Sequence, residues 1–305
     1  MSSDLFKFKF TKPTSGDIES NSSTGREFEQ VMTDETFVNF RDVIYKLCGI
    51  YYTESKKYLL EGRIAKRLIA CKIQTFLEYI KYIKSFSGKE ELYNLFEAIT
   101  INETYFYRAQ FQFDALENII IPEIIQNKAG FQRPIFRIWS AASSTGEEAY
   151  TIALMILERI GKKYPNFNFQ ILASDINNAV LENAKAGVYK EYAIRNVPPD
   201  VLNRYFKKGN NTYTLTDEVR RMVKFMNINL YDQATMRTIV GCDVILCCNV
   251  LIYFDIPSKQ KVITHLYDSL NKGGYLFIGY SESLHGISKA FKLVHFPKAM
   301  VYKKE

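Results

Sequence analysis

The run IFRIWSAA (residues 135–142), followed at once by the turn SSTGEE (residues 143–148), decides the fold. A mainly apolar run of this length predicts a buried strand, and the helical segment EEAYTIALMILERI (residues 147–160) begins inside the turn. The alternation continues with FQILASD, DVILCCN and YLFIGY, which are separated by further helical segments. Strands that alternate with helices predict an α/β fold, in which a mostly parallel sheet is covered on both faces.

The rest of the chain divides by composition into a tail, a helical domain and the sheet domain. Residues 1–30 are rich in Ser, Thr, Gly, Asn and Pro with few apolar anchors, which predicts a flexible tail. Residues 31–100 show helical periodicity without strand-like alternation, which predicts a small all-α domain. Residues 101–305 hold the α/β domain. There the short polar segments TYTLT and VKFM predict a small antiparallel β insertion at about 205–226.

Local signals predict several helix ends. Gly49 is a plausible end for the first helix. Thr75 and Glu78 have the spacing of a capping box at the start of the third helix. Gly273 and Gly274 predict the end of the helix that precedes YLFIGY.

The composition is that of an ordinary globular protein. The chain has 305 residues, of which 47% are hydrophobic and 24% charged. No apolar run reaches the length of a membrane span, and the N-terminus lacks the apolar core of a signal peptide, so we predict a cytoplasmic protein. We also expect a monomer. The net charge of +7 is compatible with nucleic acid, an anionic membrane or an acidic protein as partner, and does not choose among them.

The cysteines and histidines give no sign of a metal site. None of the cysteines has CxxC spacing, which indicates reduced, partly buried thiols rather than a zinc site or disulfides: Cys48, Cys71, Cys242, Cys247 and Cys248. The three histidines lack the spacing of metal ligands. We therefore predict no metal, and no role for a histidine.

The turn SSTGEE places Glu147 and Glu148 at the start of a helix. A helix N-terminus in such folds normally binds pyrophosphate, which two acids would repel. The acids can instead hold a cation, such as the amino group of a methionine moiety. The single glycine is a poor match to GxGxxG, so the turn favours S-adenosylmethionine over NAD. The alternative, that both acids only complement the helix dipole, is equally compatible with these residues.

Polar residues also follow the later strands. Asp175, after the second strand, can accept hydrogen bonds from both ribose hydroxyls or cap the next helix. Asn229 and Leu230 follow VKFMNI, and Cys248 and Asn249 end the next strand. Because the ends of parallel strands meet at one edge of a sheet, these residues predict a single cleft.

A polar segment precedes the sheet. Asn102 is a good helix N-cap, and Thr104 and Arg108 would share one face of the helix that follows it. The alternative is an ordinary amphipathic linker, with Tyr105 and Phe106 in the core.

Taken together, NETYFYR, SAASSTGEEAY, ASDIN, NINL, CNVLIYF and GYSESL, in this order and spacing, resemble the chemotaxis receptor glutamate O-methyltransferases of CheR type. The resemblance covers about residues 34–302. It implies a Rossmann-like S-adenosylmethionine-dependent methyltransferase domain preceded by the all-α domain. It also implies S-adenosylmethionine as cofactor, S-adenosylhomocysteine as product, and glutamate side chains of chemotaxis receptors as substrate.

The resemblance also implies roles for individual residues. The family pattern places the cofactor against Asn102, Thr104, Arg108, Glu148, Asp175, Asn229, Leu230, Cys248 and Asn249. Within that set, Glu148 binds the methionine amino group, Asp175 the ribose, and Asn229 and Leu230 flank the adenine. Arg108 and Tyr253 stand beside the transferring methyl as catalytic residues. One position departs from the family, because Cys248 stands where the family usually has arginine.

Methyl transfer to a carboxylate needs no strong base, since glutamate is already ionised at neutral pH. Catalysis should rest on alignment and desolvation. Arg108 can orient the carboxylate, and Tyr253 can donate one hydrogen bond or shape the pocket. The alternative for Tyr253 is a core aromatic.

The second helix carries a basic stripe, formed by Lys56, Arg63, Lys66 and Arg67. A solvated helix face explains such charge in most proteins. The family resemblance favours a docking surface for the acidic, glutamate-rich helices of chemotaxis receptors. We expect the protein to associate with a membrane only through these receptors. Nucleic acid is disfavoured, because no aromatic residues suited to stacking interleave the stripe. The loop at residues 207–212 is short, so we predict that no tether to a receptor C-terminal peptide is needed.

Two other functions remain open from the sequence. One is a methyltransferase of the same fold that acts on another carboxylate or a small molecule. The other is a non-catalytic sensor of S-adenosylmethionine or S-adenosylhomocysteine.

Overall fold

The structure is a computed structural model that describes residues 28–128 and 134–305. The flexible tail predicted for residues 1–30 lies outside the described residues, except for its last three. Among the described residues, no helix is long and apolar enough to cross a membrane.

The N-terminal part is a bundle of four helices, as predicted: α1 Asp34–Cys48, α2 Lys57–Cys71, α3 Phe76–Lys84 and α4 Glu91–Ile99. Helix α1 ends at Gly49, whose φ of 74° lies in the left-handed region that suits glycine. Thr75 and Glu78 form the predicted capping box of α3. The rings of Phe40, Phe76 and Tyr79 pack at the centre of the bundle.

The C-terminal part is built on strands β1 Ile135–Ala141, β2 Asn168–Asp175, β3 Val188–Tyr189, β4 Phe206–Lys208, β5 Tyr213–Leu215, β6 Val223–Asn227, β7 Cys242–Cys247, β8 Leu270–Ile278, β9 Phe291–Phe296 and β10 Ala299–Lys304. Seven strands form one sheet in the order β6-β2-β1-β7-β8-β10-β9. The first five strands in this order are parallel to one another. Strand β10 is antiparallel to its two neighbours, β8 and β9. The predicted α/β fold is confirmed.

Ten helices complete this part: α5 Gln110–Ala115, α6 Ile121–Asn127, α7 Glu147–Met155, α8 Gly161–Lys163, α9 Asn178–Ala186, α10 Glu191–Ile194, α11 Pro199–Tyr205, α12 Asp217–Arg220, α13 Gln233–Met236 and α14 Ile256–Ser269 within the described residues. Buried side chains fill both faces of the sheet. One core includes Phe136, Ile138 and Val244, and the other Trp139 and Ile245. Alternate residues of the same strands therefore serve opposite cores.

The predicted antiparallel insertion exists, but its extent differs. The small sheet consists of β3, β5 and β4, so it spans residues 188–215. The prediction of about 205–226 wrongly included VKFM, because residues 223–227 form β6, which pairs in parallel with β2 at the edge of the main sheet. An edge strand with one solvent-facing side alternates in polarity like an antiparallel strand.

Helix α14 also ends earlier than predicted. Its last residue is Ser269, and Gly273 and Gly274 lie within β8. The register between β7 and β8 shifts at this point, between Cys242 and Val244. The two glycines therefore mark an irregular strand rather than a helix end.

The helical bundle is fastened to the carboxyl end of the main sheet. Ile50 forms an isolated antiparallel bridge with Phe254, and the Tyr51 N–H donates to the Tyr253 carbonyl at 3.0 Å. A Cβ on Gly49 would lie 2.5 Å from the Tyr231 ring. The bundle thus closes over the sheet end where the predicted site residues lie.

Candidate active site

A cleft of about 1160 Å³, part of it open to solvent, lies between the bundle and the carboxyl ends of the strands. From β1 the chain first adds β2 and β6 on one side of the sheet and then β7 and β8 on the other, so the switch point lies between β1 and β7. Open α/β sheets bind their ligands at such a switch point. Every residue predicted to contact the cofactor or the methyl group lines this cleft: Asn102, Thr104, Arg108, Glu148, Asp175, Asn229, Leu230, Cys248, Asn249 and Tyr253. The structure brings together the whole predicted set.

The turn after β1 forms one wall. The Ser143 N–H donates to the Ser174 carbonyl at 2.7 Å, which ties the turn to β2. Gly146 has a φ of 92°, and a Cβ there would lie 3.0 Å from Ala184 and 3.2 Å from the Phe225 ring. Glycine is therefore required for both conformation and packing at the start of α7.

The two acids of this turn have different roles. The Glu147 carboxylate is buried and accepts from Thr145 Oγ1 at 2.7 Å within the turn, so it does not serve a ligand. The Glu148 side chain faces the cleft and accepts from Ser140 Oγ at 2.7 Å. Burial raises the pKa of Glu148 to about 7, against the hydrogen bond from Ser140 and the more distant charge of Arg108. A cation in the cleft would stabilise its ionised form.

Asp175 organises the next loop. Its Oδ2 accepts from the Ser144 N–H at 2.9 Å, and its Oδ1 from the Asn177 N–H at 3.0 Å. The alternative of Asp175 as helix cap is wrong, because Asn177 caps α9 by accepting from the Ala179 and Val180 N–H groups. Burial raises the pKa of Asp175, while backbone hydrogen bonds oppose the shift. The carboxylate joins the β1 and β2 loops at the cleft wall.

The segment 102–109 is not the predicted helix. Tyr107 and Ala109 have φ of 56° and 57°, in the left-handed region, so helix formation starts only at Gln110. The turns let Phe106 pack into the core while Asn102, Thr104 and Arg108 line the cleft.

Hydrogen bonds hold this segment in place. The Tyr107 N–H donates to Thr151 Oγ1 at 3.1 Å, and Ser144 Oγ donates to the Asn102 carbonyl at 3.0 Å. Arg108 Nη1 donates to the Glu103 carbonyl at 2.8 Å. One edge of the Arg108 guanidinium is thereby fixed at the cleft.

Asn229 and Leu230 form the wall beneath the bundle. Asn229 Nδ2 donates to the Leu47 carbonyl at 2.7 Å, and its Oδ1 accepts from the Tyr231 N–H at 3.0 Å. The Leu230 carbonyl lies 3.0 Å from His265 Nδ1. The prediction of no role for histidine missed this contact; His265 lies three residues from buried Val262, on the buried face of α14, which was the available signal.

Glu282 holds the loop after β7, and the sequence analysis did not single it out. Its Oε2 accepts from the Asn249 N–H at 2.9 Å and the Gly279 N–H at 2.6 Å, and its Oε1 from the Ile252 N–H at 3.2 Å. Asn249 has a φ of 61°, which asparagine tolerates better than most residues. The motif GYSESL, already part of the family resemblance, was the signal for this acid.

Cys248 lies beside a second residue that the sequence analysis missed. Its thiol donates to Gln112 Oε1 at 3.7 Å, and Gln112 Nε2 donates to the Ile278 carbonyl at 2.7 Å. Burial raises the pKa of the Cys248 thiol well above its usual range, so it stays neutral. The cleft therefore has a neutral thiol at the position where the sequence departs from the pattern of the resemblance.

The basic stripe on α2 is only partly free. Arg67 pairs with Glu91, with Nε 2.7 Å from Oε1 and Nη2 2.8 Å from Oε2, and Arg63 Nη1 donates to the Ile99 carbonyl at 2.6 Å. Lys56 and Lys66 are exposed. The free charge of this surface therefore comes mainly from the two lysines.

Comparison with known proteins identifies the family to which this chain is similar. The model "CheR methyltransferase, all-alpha domain" matches residues 35–100, and "CheR methyltransferase, SAM binding domain" matches residues 102–300. Chemotaxis protein methyltransferase 2 of Vibrio cholerae is 36% identical over 277 residues, which cover 90% of this chain and 95% of the relative. Chemotaxis protein methyltransferase Cher2 of Pseudomonas putida is 34% identical over 270 residues, which cover 87% and 96%.

The Rossmann-like sheet, the cleft at its switch point and the matched SAM-binding domain define an S-adenosylmethionine-dependent methyltransferase. Both domains of the chain contribute to that cleft. The chain belongs to the CheR methyltransferase family.

Proposed function

We propose that this enzyme transfers a methyl group from S-adenosylmethionine to glutamate side chains of chemotaxis receptors, forming methyl esters. The observation that carries the proposal is the position of Arg108. Its guanidinium lies at the cleft, is oriented by the Glu103 carbonyl, and forms no ion pair with a carboxylate in residues 28–128 and 134–305. It can therefore take the carboxylate of a substrate.

The residues of the cleft fit S-adenosylmethionine. Glu148 presents a half-buried carboxylate that forms no ion pair within residues 28–128 and 134–305, which suits the ammonium of the methionine moiety. Asp175 retains acceptor lone pairs for ribose hydroxyls beyond its two backbone bonds. Ile228 and Leu230 offer an apolar wall to the adenine. When bound, the cofactor supplies an electrophilic methyl group on a sulfonium.

The chain's own residues orient the nucleophile. Arg108 would hold one substrate carboxylate oxygen and leave the other free to attack, because a clamp on both oxygens would reduce its nucleophilicity. Tyr253 lines the same cleft, and its hydroxyl stays protonated because burial raises its pKa. It can donate a hydrogen bond that fixes the carboxylate plane.

Docking would use the exposed charge of the helical bundle. Lys56, just before α2, and Lys66, on α2, are exposed and suit the glutamate-rich helices of a receptor. Arg63 and Arg67 would contribute only long-range charge, because their guanidinium groups are committed to internal acceptors.

A tether to a receptor C-terminal peptide is not part of the proposal. The loop between β4 and β5 has only four residues, closed by a bond of 2.8 Å from the Gly209 N–H to the Thr212 carbonyl, with Asn211 at a φ of 55°. The loop is a tight turn that offers little surface to a peptide. Binding of a receptor C-terminal peptide to the isolated protein, measured by calorimetry, would contradict this part.

The test is transfer of labelled methyl from S-adenosylmethionine to receptor-containing membranes of the same organism, with release of label by base. Base-labile label on the receptor band is expected. Arg108→Ala should abolish the label while the protein still binds S-adenosylhomocysteine in the control titration. Binding without any receptor label from the wild-type enzyme would refute receptor methylation and favour another substrate or a sensor.

A further inference from the structure

A second arginine lies next to the cleft and plays no part in the mechanism above. Arg195 follows the short helix α10 and is exposed. Its guanidinium carbon lies 3.5 Å from the ring centroid of Tyr105 and 3.8 Å from that of Tyr192. The two rings are inclined at 72° to each other, so they contact the flat cation from different directions, which restricts its position and leaves part of its N–H edge open.

This arrangement is joined rigidly to the cleft. The Phe106 N–H donates to the Ala193 carbonyl at 2.9 Å, which ties the 102–109 segment to α10. The Phe106 ring packs edge-on against Tyr189 at 4.8 Å and Phe206 at 5.3 Å. Tyr105 is itself a lining residue of the cleft. Arg195 therefore has a fixed position relative to the reacting centre.

The two arginines share one ring. The Arg108 guanidinium carbon lies 5.8 Å from the centroid of Tyr105, so its separation from the Arg195 guanidinium cannot exceed the sum of 5.8 and 3.5 Å. Side chains three or four residues apart on a helix have Cβ atoms roughly 5–6 Å apart, and flexible carboxylate arms extend that reach. Two cations at this spacing match two acids on one face of a helix.

The donors of Arg195 are largely unused. Its Nη1 donates to the Tyr192 carbonyl, which is its one hydrogen bond within the described parts of the chain, and none of the ion pairs found there includes it. A guanidinium has five N–H donors, enough for a bidentate carboxylate besides this bond. The nearby Glu103 carboxylate accepts from the Tyr192 hydroxyl at 2.9 Å, and within the described parts of the chain it forms no ion pair with Arg195.

We infer that Arg195, held between Tyr105 and Tyr192, is a second carboxylate subsite. It binds an acidic side chain of the substrate protein three or four residues from the glutamate that Arg108 presents for methylation. The inference rests on the proposed function, because it needs a protein substrate that carries carboxylates on one helix face. Arg195 would act as a specificity-determining residue that touches the substrate but not the reacting atoms.

The test is a double-mutant cycle between enzyme and substrate. The substrate is the cytoplasmic fragment of a receptor that takes up label, intact or with acidic residues three and four positions from the labelled glutamate changed to glutamine. Arg195→Gln should lower kcat/KM on the intact fragment by roughly threefold to tenfold, mainly through KM. On the altered fragment the same substitution should have no further effect. Arg195→Lys, which keeps the charge but not the stacking plane, should fall between.

Two controls separate this role from a structural one. Arg204→Gln removes the same charge from an arginine that also stacks on a tyrosine, Tyr205, but pairs with Glu158 away from the cleft, and should leave kcat/KM unchanged. S-adenosylhomocysteine should bind Arg195→Gln as it binds the wild type. Equal losses on both fragments would overturn the subsite while leaving receptor methylation standing. Absence of label with the wild-type enzyme would overturn the proposed function, and the subsite with it.

Discussion

Glu148 is the residue whose charge depends most on what occupies the cleft. Its pKa is raised to about 7 by burial, so near neutral pH only part of the ligand-free protein carries the carboxylate that an ammonium needs. We therefore expect affinity for S-adenosylhomocysteine to rise about tenfold per pH unit below 7 and to level off above it. Titrations by calorimetry between pH 5.5 and 8.5 measure this. Glu148→Gln should bind about tenfold to a hundredfold more weakly and show a flat profile.

The same pKa shift predicts how stability depends on pH. The unfolded chain loses this proton near the usual value of 4.5, while the folded, ligand-free protein keeps it until about 7. Stability therefore falls as the pH rises through that window, because the unfolded state binds fewer protons there. Burial raises the pKa values of Glu147 and Asp175 too, which adds to the same trend. Denaturant midpoints of wild type and Glu148→Gln should converge towards pH 4.5; divergence at low pH would contradict the assignment.

Arg108 and Tyr253 should respond differently to conservative substitution. Arg108→Lys keeps the charge but loses the planar fork held by the Glu103 carbonyl, so kcat should fall about a hundredfold through misalignment. Tyr253→Phe removes one donor and should cost about tenfold. Single-turnover rates with saturating cofactor separate these losses from binding. A larger loss for Tyr253→Phe than for Arg108→Lys would reverse the roles proposed here.

For individual residues, the sequence predicted which ones line the cleft but not the contacts that position each side chain. The residues at the strand ends could be predicted, because parallel strands place their carboxyl ends along one edge. The Glu148 side chain faces the cleft, while the Glu147 side chain turns inward. Two adjacent glutamates in a sequence do not indicate which side chain takes which direction. Gln112 and His265 reach the site through partners 136 and 35 residues away in sequence, and a local pattern such as the buried face of α14 does not identify those partners.

Among the elements, the loop after β8 combines a glycine with an acid. A Cβ on Gly279 would lie 2.7 Å from Asn249 Nδ2 and 2.7 Å from Glu282 Oε2, so Gly279→Ala should displace the carboxylate that holds the β7 loop. We expect a loss of about 1–3 kcal/mol in unfolding free energy and weaker binding of S-adenosylhomocysteine. Gly62→Ala is the control, because nothing lies within 4 Å of that position on α2, and it should stabilise the protein slightly.

The sequence predicted the wrong secondary structure where tertiary contacts override the local pattern. Residues 102–109 carry a capping residue and helical spacing, yet two left-handed residues break the helix so that Phe106 can enter the core while Arg108 reaches the cleft. Strand β6 alternates in polarity because it lies at an edge of the main sheet, and so was assigned to the insertion. The capping box of α3 was predicted correctly because all its bonds are local.

For the whole molecule, the cleft is complete only when bundle and sheet domain meet. Asn229 bridges them through Leu47, so Asn229→Ala should weaken S-adenosylhomocysteine binding by about tenfold and speed hydrogen exchange at Tyr51, whose N–H crosses the interface. Exchange followed by mass spectrometry, with and without S-adenosylhomocysteine, measures the effect. Asn227→Ala is the comparison variant, since the Asn227 side chain donates to the Asp175 and Ile176 carbonyls and, in the part of the chain that the structure describes, makes no hydrogen bond to the bundle. Identical exchange at Tyr51 in both variants would argue against a coupled interface.

The backbone bridge between Ile50 and Phe254 has a consequence for the rate of product release. Cys48, Ile50 and Tyr253 all border the cleft, so opening of the backbone pairing beside them would widen the path by which the cofactor product leaves. Release of product through such an opening, rather than chemistry, limits turnover in many enzymes. Turnover would then be paced by a local breathing motion rather than by chemistry. A substitution that loosens this backbone pairing would then change the rate of turnover without touching the residues that hold the substrate.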